Sequence, residues 1–201
     1  MQKPLIVLLY ILLFNPYFSQ SQDSTGVFST REYTISYFGN NLLKPGFKFK
    51  TAIVLAEKTI IKTKTKKSGK TIDNTKIRQL LLGGNIGFFW HPKSHLGAFN
   101  YYEFTYRKIK IKKGKWSKIG IGPGIYRSFY PETYEVDDNR GVDKVLLGGR
   151  TYFAPVLTFG SGKFLKNCFF KSRTFTTDLL FLFNYNSGIV PLLNFEIGFS
   201  F

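Results

Sequence analysis

A chain of 201 residues has room for one domain of ordinary size. A formal charge of +17 asks for an anionic neighbour (lipid phosphate, lipopolysaccharide or nucleic acid), and the one cysteine, Cys168, excludes an internal disulfide framework. Past the opening residues no apolar run approaches the roughly 20 residues of a membrane helix, so a helical membrane protein is excluded as well.

The start, Met1-Gln2-Lys3 followed by the apolar run from Pro4 to Phe14, reads as a secretory signal peptide: a basic opening, then a hydrophobic stretch too short to span a bilayer. Ser19 and Ser21 stand at the small-residue positions for a cut before Gln22. Cleavage removes only Lys3 among the charged residues and leaves +16. The expected organisation is a signal peptide over 1–21, a short polar lead over 22–30 and one β domain over 31–201. Aromatic residues make up 18% of the chain, with 22 Phe and 12 Tyr, a content suited to the lipid-facing positions and interfacial girdles of a membrane β-barrel.

From residue 31 onward the apolar pattern has a period of two, which puts alternate residues on opposite faces of a strand. Arg31 to Gly39 sets Tyr33, Ile35 and Tyr37 against Thr34, Ser36 and Phe38, and residues 40–46 carry turn chemistry. A second strand from Phe47 shows Phe49, Thr51, Ile53 and Leu55 outward and Lys50, Ala52, Val54 and Ala56 inward. It continues through a lysine-rich run to a turn at Ser68-Gly69 and returns to about Trp90. After the connection His91 to His95, a fourth strand points Tyr102, Phe104 and Tyr106 out and Tyr101, Glu103, Thr105 and Arg107 in, running into the alternating lysines of 108–112. A fifth, Trp116 to Phe129, carries inward Gly120, Gly122 and Gly124, with room for bulky neighbours; Pro123 predicts a bulge there. Tyr130 to Gly141 is an acidic connection. A sixth strand, Val142 to Phe159, has Arg150 and Tyr152 inward and ends at a turn over 161–163. A seventh, Arg173 to Asn186, has Asp178 and Asn184 inward.

In the last stretch Leu193, Phe195, Ile197, Phe199 and Phe201 alternate with Asn194, Glu196, Gly198 and Ser200, and the final residue is aromatic. With the leader and about eight alternating strands, this resembles the small eight-stranded bacterial outer-membrane β-barrel proteins, whose last strand typically ends in Phe and is read by the barrel-assembly machinery. The resemblance implies an all-β, antiparallel up-and-down transmembrane barrel in the outer membrane of a Gram-negative cell, among outer-membrane lipids and lipopolysaccharide. Phe199 and Phe201 would be its insertion signal. It also implies periplasmic termini, so that connections near 40–46, 91–95, 130–141 and 186–191 face outside and those near 66–70, 112–116 and 160–171 face the periplasm. Lys62, Lys64, Lys66, Lys108, Lys110 and Lys112 then gather at the periplasmic end, facing either inner-leaflet phosphates or an acidic periplasmic partner. Nucleic acid is excluded as a partner by export and by aromatics that lie on the apolar face instead of among the basic runs.

Glu103, Arg107, Arg150, Asp178 and Glu196 all take inward positions by parity, where buried charges must pair; the expectation is a polar network that plugs the interior. The expected role is structural or interaction-based. One alternative is an acyl hydrolase acting on lipid A or phospholipid, with Ser94 and His91 or His95 and with Glu103 further along the hairpin. Its H-P-K-S-H stretch departs from the outer-membrane deacylases, which carry His and Ser one residue apart, followed by Asn. A narrow passive pore is a third reading. No cofactor and no metal is expected: Gly120-x-Gly122-x-Gly124 fails the dinucleotide spacing, no Cys/His cluster has zinc spacing, and D-D-N-R-G lacks a calcium loop's ligands.

Overall fold

The alternation of period two becomes twelve strands in the structure, a computed structural model that describes residues 31–40, 44–65, 71–91, 95–130, 134–136, 142–144, 148–165, 169–185 and 188–201. The leader and polar lead over 1–30, and most of the acidic connection 130–141, lie outside these residues. The strands are β1 (Arg31–Asn40), β2 (Lys44–Thr65), β3 (Thr71–His91), β4 (His95–Lys110), β5 (Lys115–Gly122), β6 (Gly124–Phe129), β7 (Tyr134–Val136), β8 (Val142–Lys144), β9 (Gly149–Phe153), β10 (Val156–Phe164), β11 (Ser172–Tyr185) and β12 (Gly188–Ser200). A single 3-10 turn, Ile111–Lys113, joins β4 to β5 through Gly114, whose φ of 57° lies in the left-handed region that glycine tolerates.

All pairings are antiparallel, and eight strands close a hydrogen-bonded ring in the order β1, β2, β3, β4, β5, β10, β11, β12 and back to β1. Two of the eight are interrupted by proline. β5 and β6 are halves of one run split at Pro123, and β9 and β10 are halves of another split at Ala154-Pro155. A proline has no N–H to give to the ladder but keeps its carbonyl. Each break uses that asymmetry: Tyr102 N–H donates to the Pro123 carbonyl at 3.0 Å, and Phe181 N–H donates to the Pro155 carbonyl at 3.0 Å. The bulge expected at Pro123 does not form: the register from Phe104 with Ile121 continues unshifted to Tyr101 with Gly124, and only the ladder is interrupted, because proline lacks the N–H. At the seam, Tyr33 and Phe201 exchange backbone hydrogen bonds of 3.3 and 3.0 Å, and their rings stack at 6.0 Å.

The sixth strand begins later and ends later than its sequence suggests. Val142–Lys144 pairs with Tyr134–Val136 in a separate two-stranded sheet, so the ring strand starts at Gly149. Ser161, Gly162 and Lys163 form no turn; they continue β10, registered with Phe175, Thr174 and Arg173 on one side and Ser117, Trp116 and Lys115 on the other. The glycine there answers to space instead: a Cβ at Gly162 would run into the indole of Trp116.

Parity around the ring follows the sequence pattern. Tyr33, Ile35, Tyr37, Phe49, Phe104, Ile121 and Phe175 are exposed, while Thr34, Ser36, Lys48, Glu103, Thr105 and Thr176 are buried. In β2 a register shift between Val54 and Ala56 inserts one extra residue and turns the following parity over, so that Glu57 comes to lie on the same side as inward Gln79.

The ring is strongly staggered. A row of registered partners leaving Asn40 passes through Asn194, Asp178, Thr158, Gly120, Thr105 and Leu81 to Val54, one residue past Ile53, the partner of Arg31. The row therefore returns to β1 ten residues from where it started. Such a stagger goes with strands tilted by roughly 35–45° to the axis of the ring. At the end with the β1–β2, β3–β4 and β11–β12 connections, the interior is filled by Phe38, Phe89, Phe99, Tyr126, Tyr152, Leu180 and Leu182. The polar interior occupies the rest.

Backbone approach is tightest beside the Pro123 break, where a Cβ at Gly122 would collide with the Tyr102 carbonyl. Gly122→Val is expected to destabilise the fold by about 3 kcal/mol, whereas Ser161→Val, on an exposed position, changes stability by less than about 0.5 kcal/mol. Urea unfolding followed by the fluorescence of Trp90 and Trp116 checks the contrast.

Candidate functional site

The inward positions of β1, β2, β4, β5, β11 and β12 supply three layers of charged groups. In the first, Lys48 is buried between two carboxylates. Its Nζ lies 2.6 Å from Asp178 Oδ2 and contacts Glu196, donates to the Tyr101 hydroxyl at 2.9 Å and sits 5.5 Å from that ring's centre. Tyr101 in turn donates to Asp178. In the second, Glu103 is fully buried and accepts from Lys50, from Thr105 Oγ1 at 3.0 Å and from Thr158 Oγ1 at 2.9 Å, with the Lys118 ammonium 4.0 Å away. In the third, Arg107 pairs with Glu32, donates through Nε to Gln79 Oε1 at 2.9 Å, and places its guanidinium 5.8 Å from the Trp116 ring. Gln79 passes the chain on to Glu57 at 2.6 Å.

Charge decides how these layers hold together. The first carries one cation and two carboxylates, the second two cations and one carboxylate, the third one of each. No sign dominates across the three, and the first two layers are each incomplete without the other. Neutrality is needed because an unpaired buried charge costs several kcal/mol. A small recess of about 20 Å³ lies between Lys48 and Arg107 and is lined by Lys50, Lys118, Trp116 and Glu32 among others. The Trp116 indole N–H, the Asn85 amide and Asp178 Oδ1 find no protein hydrogen bond among the described residues.

Of the five inward charges expected from sequence, the structure brings Glu103, Arg107, Asp178 and Glu196 inside the ring and leaves Arg150 out. Arg150 shares the parity of buried Tyr152, but it sits at the beginning of β9, where the ring opens, and its side chain is exposed. Sequence reasoning missed Lys48, Lys118, Glu32 and Gln79, and gave Lys50 and Tyr101 no role. The signal was there: Lys48 and Lys50 keep step with Ala52, and Lys118 with Trp116 and Gly120. Counted as basic residues, they were masked by the general excess of lysine.

Of the residues of the hydrolase alternative, the two histidines and Glu103 are described. The His91 and His95 rings stand 5.3 Å apart, and His95 Nε2 lies 3.1 Å from the Tyr126 hydroxyl; Ser94 lies outside the described residues. Glu103 is eight residues further along β4, roughly 27 Å at the rise of a strand, and is engaged by Lys50. Lys108 and Lys110 take outward positions and Lys112 is exposed in the 3-10 turn, while the side chains of Lys62, Lys64 and Lys66 lie outside the described residues. Phe199 faces outward. No family model matches the chain, and no curated protein matches it either.

Lys48→Met strands two buried carboxylates and is expected to cost about 3–5 kcal/mol. The triple variant Lys48→Met, Asp178→Asn, Glu196→Gln, which removes the charges together, recovers most of that loss. Urea midpoints of the two variants against the parent measure it.

Proposed function

We propose that the chain is an eight-stranded transmembrane β-barrel of the outer membrane, with a plugged interior and a structural or interaction role. The observation that carries this reading is the inverted polarity of the ring. Outward side chains include Phe47, Phe104, Ile121 and Ile125, each more than half exposed, while Lys48, Glu103, Asp178 and Glu196 are within 2% of full burial. In water such a molecule would expose a continuous apolar surface far beyond what soluble monomers carry. In a bilayer the same distribution is the stable one.

The dimensions agree. The outward residues of β4 before its lysines run from Leu96 to Tyr106, with Asn100 the one amide among them. Ten residues extend roughly 33 Å along a strand and, at the tilt that the stagger implies, stand roughly 25 Å tall, the height of an outer-membrane apolar band. Trp90, registered with Leu96, lies near one edge of this band and Tyr33 and Tyr106 near the other, where amphipathic rings suit the interface. The leader expected over 1–21 supplies export.

The described side chains support a plugged interior. Aromatic and aliphatic side chains close one end, and ion pairs cross the remainder. Single-channel recordings on the reconstituted protein are expected to show no discrete conductance steps; regular steps would favour the pore. The acyl-hydrolase alternative has its own test: lipid A mass profiles of cells expressing the parent and a Ser94→Ala, His91→Ala, His95→Ala variant are expected to be identical.

Insertion is the primary test. The mature protein is expected to fold into lipid vesicles as a heat-modifiable species, and Tyr102→Arg or Ile121→Arg, at outward positions near the middle of the band, to cost about 2–4 kcal/mol there. A protein that stays monomeric and folded in water without detergent would overturn the reading.

A further inference from the structure

The outward face below the apolar band carries only one sign of charge. Every described side-chain carboxylate, Glu32, Glu57, Glu103, Asp178 and Glu196, belongs to the inward set. On the outward set, near the end that holds Arg31 and Phe201, cations stand directly opposite one another across strands. Lys58, Arg78 and Lys108 form one registered row over β2, β3 and β4. Lys110, Lys115, Lys163 and Arg173 form another over β4, β5, β10 and β11. None of the seven makes an ion pair among the described residues.

Like charges directly opposite on neighbouring strands repel, their Cβ atoms being roughly 5 Å apart. Two such rows on six of the eight strands are tolerable only if anions come between them. The rows also have a fixed relation to the apolar band. Arg173 is one outward position from exposed Phe175, Lys108 one from Tyr106, and Arg78 one from Leu80. Registered rows climb around a staggered ring, so the two rows merge into one band along the lower edge of the apolar surface. A cation on a long flexible stem in that position lies along apolar neighbours and sends its charge to the interface.

We infer that this band is a binding site for the phosphate groups of anionic lipids, in the leaflet on the side of the chain ends. The inference rests on the membrane-spanning reading above. It goes beyond it in naming the ligand chemistry and the residues that select it. A lipid fits better than an acidic protein, because the cations are spread around a convex surface that adjoins the apolar band directly, where lipid headgroups lie when the band is in a bilayer.

The test is reconstitution of the full mature chain into vesicles of phosphatidylcholine containing a minor fraction of phosphatidylglycerol. Native mass spectrometry of the released protein then counts the lipids it retains. The parent is expected to retain phosphatidylglycerol well above its share of the mixture. Lys110→Gln, Lys115→Gln, Lys163→Gln is expected to lower that preference about fivefold or more, and the corresponding triple Arg variant to keep it, which separates charge from folding damage. Equal retention of both lipids by an inserted parent, or an unchanged preference in the Gln variant, overturns the inference and leaves the membrane reading standing. Failure to insert into any vesicle overturns the membrane reading itself. Displacement of bound phosphatidylglycerol by soluble polyglutamate would assign the band to an acidic polypeptide and overturn the inference.

Discussion

Closing an eight-stranded ring whose polar faces point inward forces a condition on everything else: the charges so enclosed must cancel. Lys48 alone serves Asp178 and Glu196, while Glu103 alone serves Lys50 and stands nearest to Lys118, so each layer is completed by the charge its neighbour has in excess. Hydroxyls of Tyr101, Thr105 and Thr158 fill carboxylate lone pairs that the ammonium groups leave open. Removing Lys48 or Glu103 leaves buried partners without their counter-ion, which is the more costly error. This network gives the interior its specificity, because hydrophobic filling would tolerate slippage that ion pairs across four or five strands do not.

The same closure explains where the remaining polypeptide is forced into exceptions. Pro123 and Pro155 break two strands at points where only a carbonyl is needed by the neighbour. The extra residue between Val54 and Ala56 turns the parity of β2, which moves Glu57 to the side of Gln79 and extends the Arg107 network toward the mouth of the ring. The apolar cluster around Phe38, Phe99 and Tyr126 fills the opposite end, so that the interior is ionic on one side and apolar on the other.

Sorting of charge between the faces gives the molecule two distinct electrostatic characters. Inside, opposite charges balance; outside, the described side chains carry cations alone, concentrated below the apolar band. On the proposed membrane-spanning reading, the large positive charge of the chain is thus a property of its contact with lipid and not of its interior. The electrostatics of the fold and of its surroundings are separable, since tilted strands with a period of two keep the two sets of residues on opposite sides of one sheet.

Period-two alternation made the strands, their approximate number and the exposed faces of Phe104, Ile121 and Phe175 legible from sequence, because which face of a strand a residue joins is a local property of the chain. It also placed Glu103, Arg107, Asp178 and Glu196 on the inner face. Three things were not legible. Gly162 read as part of a turn when its reason is the indole of Trp116, its direct cross-strand partner once β5 and β10 are registered. Arg150 shared the inward parity but lies where the ring opens, and height in the ring depends on stagger. Lys48 and Lys50 looked like two more members of a basic excess until Asp178, Glu196 and Glu103 came beside them. The sequence by itself determined which residues share a face, except past the extra residue of β2, where Ala56, read as inward, takes the outward side with Leu80; only the tertiary structure decided which of them meet, because partners 53 and 130 residues apart are set by the closure and stagger of the whole ring.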